Sequence, residues 1–376
     1  MLSLYVHIPF CVRKCPYCGF YSTHYSVGSA DDYIVALDKE ALKYKSDFSN
    51  RVFQTIYIGG GTPTVLSCGQ SIDITKVIKD YFQYVGGAEF TIEANPNSVT
   101  KQSLSLWMSL GANRLSLGIQ SFSDNVLLEL GRLHTGRQAV DAFRLARSVG
   151  FRNIGIDLIY GVPGQTKEQW EETISTAVEL APEHVSIYCL SLDGESEFKR
   201  RADAGKFVLP DDEVIAGGYE YAVSTLRDIG YFRYELSNFS LPGFECRHNM
   251  NYWMQGEYLG LGSSASSYIA GKRFHSVSDN AEYARRLASG QTVVEYSEFL
   301  TPEQSAYERL LLGLRTAQGV ELRRFQQDFG DNTFNRLQAS LGPLSDAGLI
   351  LIHDGYVSLT DRGILLSNEA LVRLSV

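Results

Sequence analysis

The chain has 376 residues, of which 44% are hydrophobic and 20% charged, and its formal net charge at pH 7 is −9. This length and hydrophobic content suffice for one barrel-sized domain and a smaller one, and they exclude a largely disordered chain. The negative charge argues against broad nucleic-acid binding, and no stretch approaches the roughly 20 apolar residues of a membrane span.

Short apolar strands that alternate with helices occupy the first half of the chain. Six strands are predicted: Leu2–Ile8, Phe53–Ile58, Glu89–Glu93, Arg114–Gly118, Asn153–Ile159 and His184–Leu190. The helices between them are predicted at about 31–44, 68–84, 101–110, 137–149 and 167–180. This alternation predicts an α/β fold with a parallel sheet. The polar and glycine-rich motifs directly follow strand ends, which favours a partial (β/α)6 TIM barrel over a doubly wound sheet.

The pattern changes after about residue 200. A helix is predicted at 211–230, and residues 234–268, rich in aromatic residues, Asn, Ser and Gly, are predicted to be irregular. From Thr301 onward, three helices, a short hairpin and a last helix resemble a winged-helix module. We therefore divide the chain into a barrel (1–235), a connecting region (236–295) and a small C-terminal helical or winged-helix-like domain (296–376). The mixed charge of that domain favours a protein-contact or lid role over nucleic-acid binding.

Half of the six cysteines fall in one stretch, Cys11-Val12-Arg13-Lys14-Cys15-Pro16-Tyr17-Cys18. Thiolates this close hold an iron–sulfur cluster, zinc or copper(I). Three thiolates are one fewer than a closed zinc site or a fully ligated cubane needs, so the fourth corner could bind a substrate. A zinc loop completed by His7 or His24 is the alternative. Clustered cysteines and the absence of a signal-peptide pattern predict a reducing, cytoplasmic location.

Polar residues at strand ends are the other candidates. Gly60-Gly61-Thr62 follows a strand, where glycine lets the backbone approach a ligand closely, although such a triplet is also typical of a tight turn. Glu93, Gln120, Arg132 and Asp157 lie at or beyond later strand ends. Each could equally form a structural ion pair or hydrogen bond, but their shared placement at one rim indicates a site.

The Cys-x3-Cys-x2-Cys spacing resembles the signature of the radical S-adenosylmethionine (SAM) superfamily. That resemblance implies a partial barrel and a [4Fe-4S] cluster held by Cys11, Cys15 and Cys18, with SAM on the fourth iron. The residues that it implies for the SAM site are Tyr5, Tyr17, Gly60, Gly61, Thr62, Glu93, Gln120, Arg132 and Asp157.

Five further segments indicate one family within this superfamily: residues 4–11, 57–64, 114–122, 157–163 and 248–253. They are similar to the family that contains the oxygen-independent coproporphyrinogen III dehydrogenase (HemN) and the radical SAM heme chaperone HemW. The dehydrogenase has a long segment before its first strand and a further cysteine at the position of Phe20, so the HemW-like branch is favoured. The chain departs from that branch at Gly19, where Asp is common, and at Ser266, where His is usual.

The stretch from His248 to Trp253 resembles the heme-binding motif of that branch. His248, Asn249, Tyr252 and Trp253 are the implied heme-binding candidates, and a packed aromatic corner is the alternative interpretation. Cys246 is a weaker candidate ligand.

The resemblance implies a heme chaperone that binds heme and transfers it to heme-dependent apoproteins, with SAM as a bound cofactor whose turnover is left open. The alternative is the dehydrogenase activity, an oxidative decarboxylation of coproporphyrinogen III to protoporphyrinogen IX in porphyrin biosynthesis. A zinc-stabilised structural protein is a third class. The expected partners are heme or a porphyrin and heme-accepting apoproteins, without nucleic acid or a transmembrane segment; peripheral membrane contact stays open.

Overall fold

The computed structural model describes residues 1–192 and 196–374. The strands are β1 (Leu2–Ile8), β2 (Phe10–Cys11), β3 (Thr23–His24), β4 (Val52–Gly60), β5 (Gln83–Ala94), β6 (Arg114–Gln120), β7 (Ile154–Tyr160), β8 (His184–Cys189), β9 (Phe232–Arg233), β10 (Asn238–Ser240), β11 (Glu257–Leu261), β12 (Ser266–Ile269), β13 (Lys272–Ser276), β14 (Val294–Phe299), β15 (Val320–Glu321), β16 (Ile350–His353) and β17 (Tyr356–Leu359). The helices are α1 (Val27–Tyr44), α2 (Cys68–Tyr81), α3 (Lys101–Leu110), α4 (Asp124–Glu129), α5 (Gly136–Val149), α6 (Lys167–Leu180), α7 (Glu197–Asp203), α8 (Asp212–Asp228), α9 (Arg247–Trp253), α10 (Asn280–Ala288), α11 (Pro302–Gly313), α12 (Leu322–Asp346), α13 (Asp361–Leu365) and α14 (Ser367–Val372). A turn of 3₁₀ helix covers Pro63–Val65.

A large sheet organises the first 300 residues, with the strand order β14-β13-β12-β11-β1-β4-β5-β6-β7-β8-β10-β9. The strands from β11 to β8 pair in parallel, and antiparallel strands extend both sides. All six predicted barrel strands are present. The sheet is open, which is compatible with a partial barrel. Its parallel strands alternate with helices along the chain, so the predicted α/β class is confirmed.

Local sequence explains where the helices that flank the parallel strands begin. The side chains of Ser67, Thr100, Thr135 and Thr166 each cap a helix in a capping box, which satisfies backbone N–H groups at the start of α2, α3, α5 and α6. Each such cap stabilises its helix by about 1 kcal/mol. These caps keep the connections after β4, β5 and β7 short, whereas the connection after β6 is longer and contains α4 and Arg132.

The prediction of irregular structure for 234–268 is wrong in part. This segment contains β10, α9, β11 and β12, and β11 pairs in parallel with β1, placing Leu259 opposite Leu4. The strand was missed because its five residues include Gly260 and lack a long apolar run. Its burial comes from the tertiary contact with β1.

The C-terminal unit has a hydrophobic core of its own, centred on residues such as Leu310, Phe325 and Leu341. Helices α11 to α14 surround a sheet with the order β15-β17-β16, which includes the predicted hairpin. Gly330, with φ of 81°, separates α12 into two helical segments, which correspond to the second and third of the three helices predicted after Thr301. In the described ranges, no helix is both long and apolar enough to cross a membrane.

A buried carboxyl fastens the segment after β11 to helix α1. Glu40 accepts hydrogen bonds from the Gly262 N–H (2.7 Å) and the Tyr283 hydroxyl (2.6 Å). Burial raises the pKa of Glu40 from 4.5 to about 7, and the hydrogen bonds from Tyr283 and Gly262 oppose this rise. The carboxyl group therefore binds its proton more tightly in the folded protein than in the unfolded chain.

We expect Glu40→Gln to remove a pH dependence of stability. Because the folded-state pKa is raised, the contribution of Glu40 to stability is full below pH 4.5 and falls until about pH 7, by about 3 kcal/mol in total. Urea unfolding of wild type and variant across this range measures the difference. Asp32→Asn, an exposed carboxyl on the same helix, should keep the wild-type pH dependence. A wild-type minus Glu40→Gln difference that stays constant with pH would contradict the prediction.

Candidate functional site

The three clustered cysteines lie on one loop whose ends are fixed. Cys11 ends β2, which pairs with β3, and the Tyr25 N–H donates to the Cys11 carbonyl at 2.9 Å. Within the loop, the Cys18 N–H donates to the Cys15 carbonyl at 3.1 Å. The Phe198 N–H donates to the Pro16 carbonyl at 2.9 Å. The loop is thus anchored at its base and against α7.

The thiol groups share one electrostatic environment. Burial raises the pKa of Cys18, and the neighbouring Cys15 and Cys11 raise it further. The Cys11 Sγ lies 3.5 Å from the Thr62 hydroxyl, and the Arg132 Nη1 lies 3.5 Å from the Cys15 Sγ. Over the described part of the chain, no three His, Cys, Asp or Glu side chains converge as ligands of a single metal ion. A cubane binds each thiolate through a different iron, so it does not require that convergence.

The histidines proposed to complete a zinc site have other partners. His7 uses both ring nitrogens: Nδ1 lies 2.9 Å from the Tyr5 hydroxyl, and Nε2 lies 3.0 Å from the Tyr21 carbonyl oxygen. The Nδ1 of His24 lies 2.9 Å from the Val12 carbonyl oxygen. The donor set on the loop is therefore three soft thiols, which fits a cluster with an open corner better than a zinc site.

The Gly60–Thr62 segment packs directly on the start of the cysteine loop. A Cβ atom at Gly60, whose φ is 105°, would lie 2.4 Å from the His7 ring, and one at Gly61 would lie 2.6 Å from the Phe10 carbonyl oxygen. The N–H groups of Gly60, Gly61 and Thr62 donate to Glu93, Ile8 and Phe10 respectively. These N–H groups are therefore already hydrogen-bonded within the protein. The two glycines instead let the backbone of the segment pack closely against the start of the cysteine loop.

Glu93 lies at the end of β5 and faces the glycine segment. Its carboxylate accepts from the Tyr57 hydroxyl at 2.7 Å and from the Gly60 N–H at 3.0 Å. Burial raises the pKa of Glu93 to about 7; the Tyr57 hydrogen bond opposes this rise and the negative charge of Asp157 adds to it. A carboxyl with such a pKa changes its protonation near neutral pH.

Arg132 connects the cysteine loop to the strand ends. Its Nη2 donates to the Gly118 carbonyl at 2.6 Å and to the Asn95 side chain, whose Nδ2 donates to the Thr62 hydroxyl at 2.7 Å. Its Nη1 lies 3.4 Å from the Tyr17 hydroxyl, and the Tyr17 ring packs against an apolar cluster that contains Phe198. The buried Arg132 Nε has no hydrogen-bond partner among the described residues.

Gln120 and Asp157 lie on neighbouring strands: Gln120 ends β6, but Asp157 lies in the middle of β7 and not at the strand end that the sequence predicted. Gln120 has φ of 70° at a register shift between β6 and β7, and its buried Oε1 lacks a partner within the described ranges. Asp157 accepts from the Ser116 hydroxyl at 3.1 Å, and burial raises its pKa. Unpaired buried atoms on Gln120 and Arg132, together with backbone strain, are typical of a ligand site.

A cavity of about 820 Å³ opens beside this rim. Nine aromatic side chains contribute to its wall: Tyr5, Phe20, Tyr21, Tyr57, Tyr188, Tyr252, Tyr258, Tyr268 and Tyr307. Glu93, His248 and Asn249 also line it, so it joins part of the implied SAM set to part of the implied heme set. Cys15, Thr62 and Arg132 instead line a small neighbouring cavity of about 20 Å³.

The heme candidates lie on α9, with His248 buried. Its Nδ1 lies 2.8 Å from the Thr55 hydroxyl and its Nε2 lies 2.8 Å from the Tyr252 hydroxyl, so both ring nitrogens are engaged. Burial lowers the pKa of His248 to about 3, and the positive charge of Arg114 contributes to this decrease. Trp253 is half-buried and does not contribute to the described cavity lining. At Ser266, the side-chain hydroxyl lies 3.0 Å from the Nδ1 of His275 on the paired strand.

Several residues of the site were not singled out from the sequence. Asn95 directly follows β5, and the strand-end rule that selected Glu93 applies to it equally. Arg114 is a buried cation near Glu93 and Asp157, but it begins its strand and has no sequence signal. The cavity's tyrosines come from elements far apart in the chain, and only tertiary structure brings them together.

Comparison with known proteins covers nearly the whole chain. A model of the radical SAM superfamily matches residues 5–177, and a model of the HemN C-terminal domain matches residues 300–366. The protein named heme chaperone HemW from Bacillus subtilis (strain 168) is 35% identical over 98% of this chain and 98% of its own. A protein of the same name from Escherichia coli (strain K12) is 38% identical over 71% of this chain and 70% of its own. The solved structure of coproporphyrinogen III oxidase (HemN) from Escherichia coli, a radical SAM enzyme, has a TM-score of 0.87 at 26% identity. It covers 100% of this chain and 90% of the other.

We expect Cys15→Ser to lose most of the iron and sulfide that the wild type takes up, because a hydroxyl is a poor ligand for a soft cluster. After anaerobic reconstitution, the wild type should contain about four irons per chain with matching acid-labile sulfide. Cys68→Ser, a cysteine outside the loop, should match the wild type. Stoichiometric zinc without sulfide in the wild type would contradict the cluster assignment.

Proposed function

The chain belongs to the HemW family within the radical SAM superfamily, and from this premise we propose that it binds heme and transfers it to heme-dependent apoproteins. The observation that carries the proposal is the large aromatic cavity beside the cysteine loop. Cavities of this size bury a cofactor-sized ligand, and aromatic rings stack on a planar macrocycle. The family's relatives named heme chaperones support the same assignment.

We assign the cluster to Cys11, Cys15 and Cys18. A bound cluster would supply one iron with free coordination positions for the amino and carboxylate groups of SAM. The guanidinium of Arg132, with its unpaired Nε, suits the SAM carboxylate, and Glu93 suits a ribose hydroxyl. Tyr5, Tyr17, Gln120, Asp157 and the Gly60–Thr62 segment complete the proposed SAM surroundings.

Heme would lie in the cavity against α9. Tyr252 and Asn249 already face the cavity, and His248 could coordinate iron only after its Nε2 gives up the hydrogen bond with the Tyr252 hydroxyl. The side chain of Trp253 is not among the described residues that line the cavity, so its proposed role is to support α9. The six cysteines are free thiols, and a cluster with an open iron is sensitive to oxygen. We therefore propose that the protein works in the reducing cytoplasm.

The likeness to the solved coproporphyrinogen oxidase structure supports the alternative function, the dehydrogenation of coproporphyrinogen III. Phe20 argues for the chaperone. Its side chain is 67% exposed and lies in the cavity wall, at a position where the resemblance places a cysteine in the dehydrogenase branch.

We expect the anaerobically reconstituted protein to bind heme with saturation and to form no protoporphyrinogen from coproporphyrinogen III. Heme titration followed by absorbance and a turnover assay with SAM, run on the same preparation, test both functions. Tyr252→Ala, which removes a cavity ring, should weaken heme binding, whereas Tyr356→Ala on β17, outside the described cavity wall, should leave it unchanged.

Two outcomes would overturn the chaperone proposal. One is turnover of coproporphyrinogen III to protoporphyrinogen IX, and the other is a heme titration that does not saturate in a protein with an intact cluster.

We expect Glu93→Gln to weaken SAM binding about tenfold above neutral pH, since an ionised carboxylate accepts hydrogen bonds more strongly than an amide. The pKa of Glu93 is raised to about 7, so its carboxylate form becomes populated as pH rises through that value. Wild-type SAM affinity should therefore rise across neutral pH, while that of the variant should depend less on pH. Isothermal titration calorimetry measures both.

Glu235→Gln is the matched control, because burial also raises the pKa of Glu235 to about 7 and its side chain lies outside the described cavity wall. It should keep the wild-type pH dependence. Equal pH dependences in wild type and Glu93→Gln would refute the role of Glu93.

A further inference from the structure

We propose that Arg273 binds a carboxylate of the tetrapyrrole in the cavity, and that Glu308 of α11 occupies this guanidinium until the ligand displaces it. This inference rests on the proposed function and specifies which part of the ligand is recognised.

The charge of the cavity wall points to Arg273. It is the only arginine or lysine among the described lining residues, whereas most other lining side chains are aromatic or neutral polar groups. Heme and coproporphyrinogen both carry propionate carboxylates. An anionic group that enters this cavity needs a cation or several donors, so Arg273 is the residue that can give it a charge-assisted hydrogen bond.

Arg273 has two acidic partners: Glu298, which orients the guanidinium, and Glu308, which a ligand carboxylate could replace. Its Nε and Nη2 donate to the Glu298 carboxylate at 3.0 and 2.7 Å, across the β13–β14 pair. Its Nη1 lies 3.0 Å from the Glu308 Oε1. Because Glu298 holds the guanidinium from the strand side, a ligand carboxylate could replace Glu308 without reorienting Arg273.

The ion pair with Glu308 is weak enough to be exchanged. The side chains of Arg273 and Glu308 are 39% and 26% exposed, and a pair this accessible contributes little to stability. Glu308 belongs to α11, which also places Tyr307, Leu311 and Leu312 in the cavity wall. Exchange would therefore remove one of the contacts that hold this helix over the cavity, while the hydrogen bond of Arg309 with the Met254 carbonyl remains.

The test compares ligands with and without free carboxylates in matched variants of the full chain. The probes are heme, heme dimethyl ester and coproporphyrin III, titrated by fluorescence quenching or absorbance. We expect Arg273→Gln to weaken heme binding about tenfold and to leave ester binding unchanged. Glu308→Gln should tighten heme binding a few-fold, because it removes the competitor. Arg285→Gln, an exposed arginine paired with Glu282 on α10, removes the same charge elsewhere and should match the wild type.

The outcomes separate this inference from the proposed function. Equal heme affinity in wild type and Arg273→Gln, or an equal loss for heme and its ester, would overturn the inference. A weaker heme affinity in Glu308→Gln would contradict the proposed competition between Glu308 and the ligand carboxylate for Arg273. If wild type binds coproporphyrin III but not heme, with the same dependence on Arg273, the proposed function fails and carboxylate recognition stands.

Discussion

The close approach of the β4 end to the start of the cysteine loop is the constraint on which the candidate site depends. The Gly61 N–H donates to the Ile8 carbonyl and the Thr62 N–H to the Phe10 carbonyl, both at 2.8 Å. A side chain at Gly60 or Gly61 would collide with His7 or with the Phe10 backbone, so only glycine allows this packing. The contact fixes the position of Cys11 relative to the strand ends, and it aligns Thr62 with both the Cys11 thiol and Asn95.

Burial of polar groups at this rim opposes folding, and the hydrogen bonds offset only part of its cost. Arg114 is buried, and the nearby Glu93 and Asp157 are half-buried, so a charge without a partner there would be destabilising. The raised pKa values of the two carboxyls show that desolvation exceeds the stabilisation from Arg114 and the hydroxyl donors. The unpaired atoms on Gln120 and Arg132 lie at the same rim. A ligand with donors, acceptors and both charges, such as SAM, would satisfy groups that the protein alone leaves unsatisfied.

The sequence predicts the strands and the strand-end residues well because both follow from local pattern. Strands β1, β6 and β7 are rich in Leu, Ile or Val and are buried on both faces. Gln120 ends β6, whereas Asp157 lies within β7. Strand β11 could not be predicted, because its burial is decided by pairing with β1 from a segment about 250 residues away. The same limit applies to the hydrogen bonds of His248: the motif identifies the histidine, but Thr55 and Tyr252 engage its nitrogens only in the folded chain.

The C-terminal unit has its own core, yet it completes a cavity that the barrel alone does not enclose. Residues 302–374 pack around Leu310 and Phe325, separately from the barrel core, and α11 supplies one wall through Tyr307 and Leu311. The described contacts of α9 and its adjoining turn with α11 include hydrogen bonds from Arg309 to the Met254 carbonyl and from Gln255 to the Ser305 carbonyl, and Arg273 adds an ion pair. Polar, partly exposed contacts of this kind are weaker than a shared apolar core. Although the hydrogen bond from the Ala317 N–H to the Tyr234 carbonyl (2.9 Å) holds the unit to the barrel elsewhere, this wall is held by polar contacts at the cavity. A rigid, planar ligand could enter and leave there without disturbing the cysteine loop or the glycine contact beneath it.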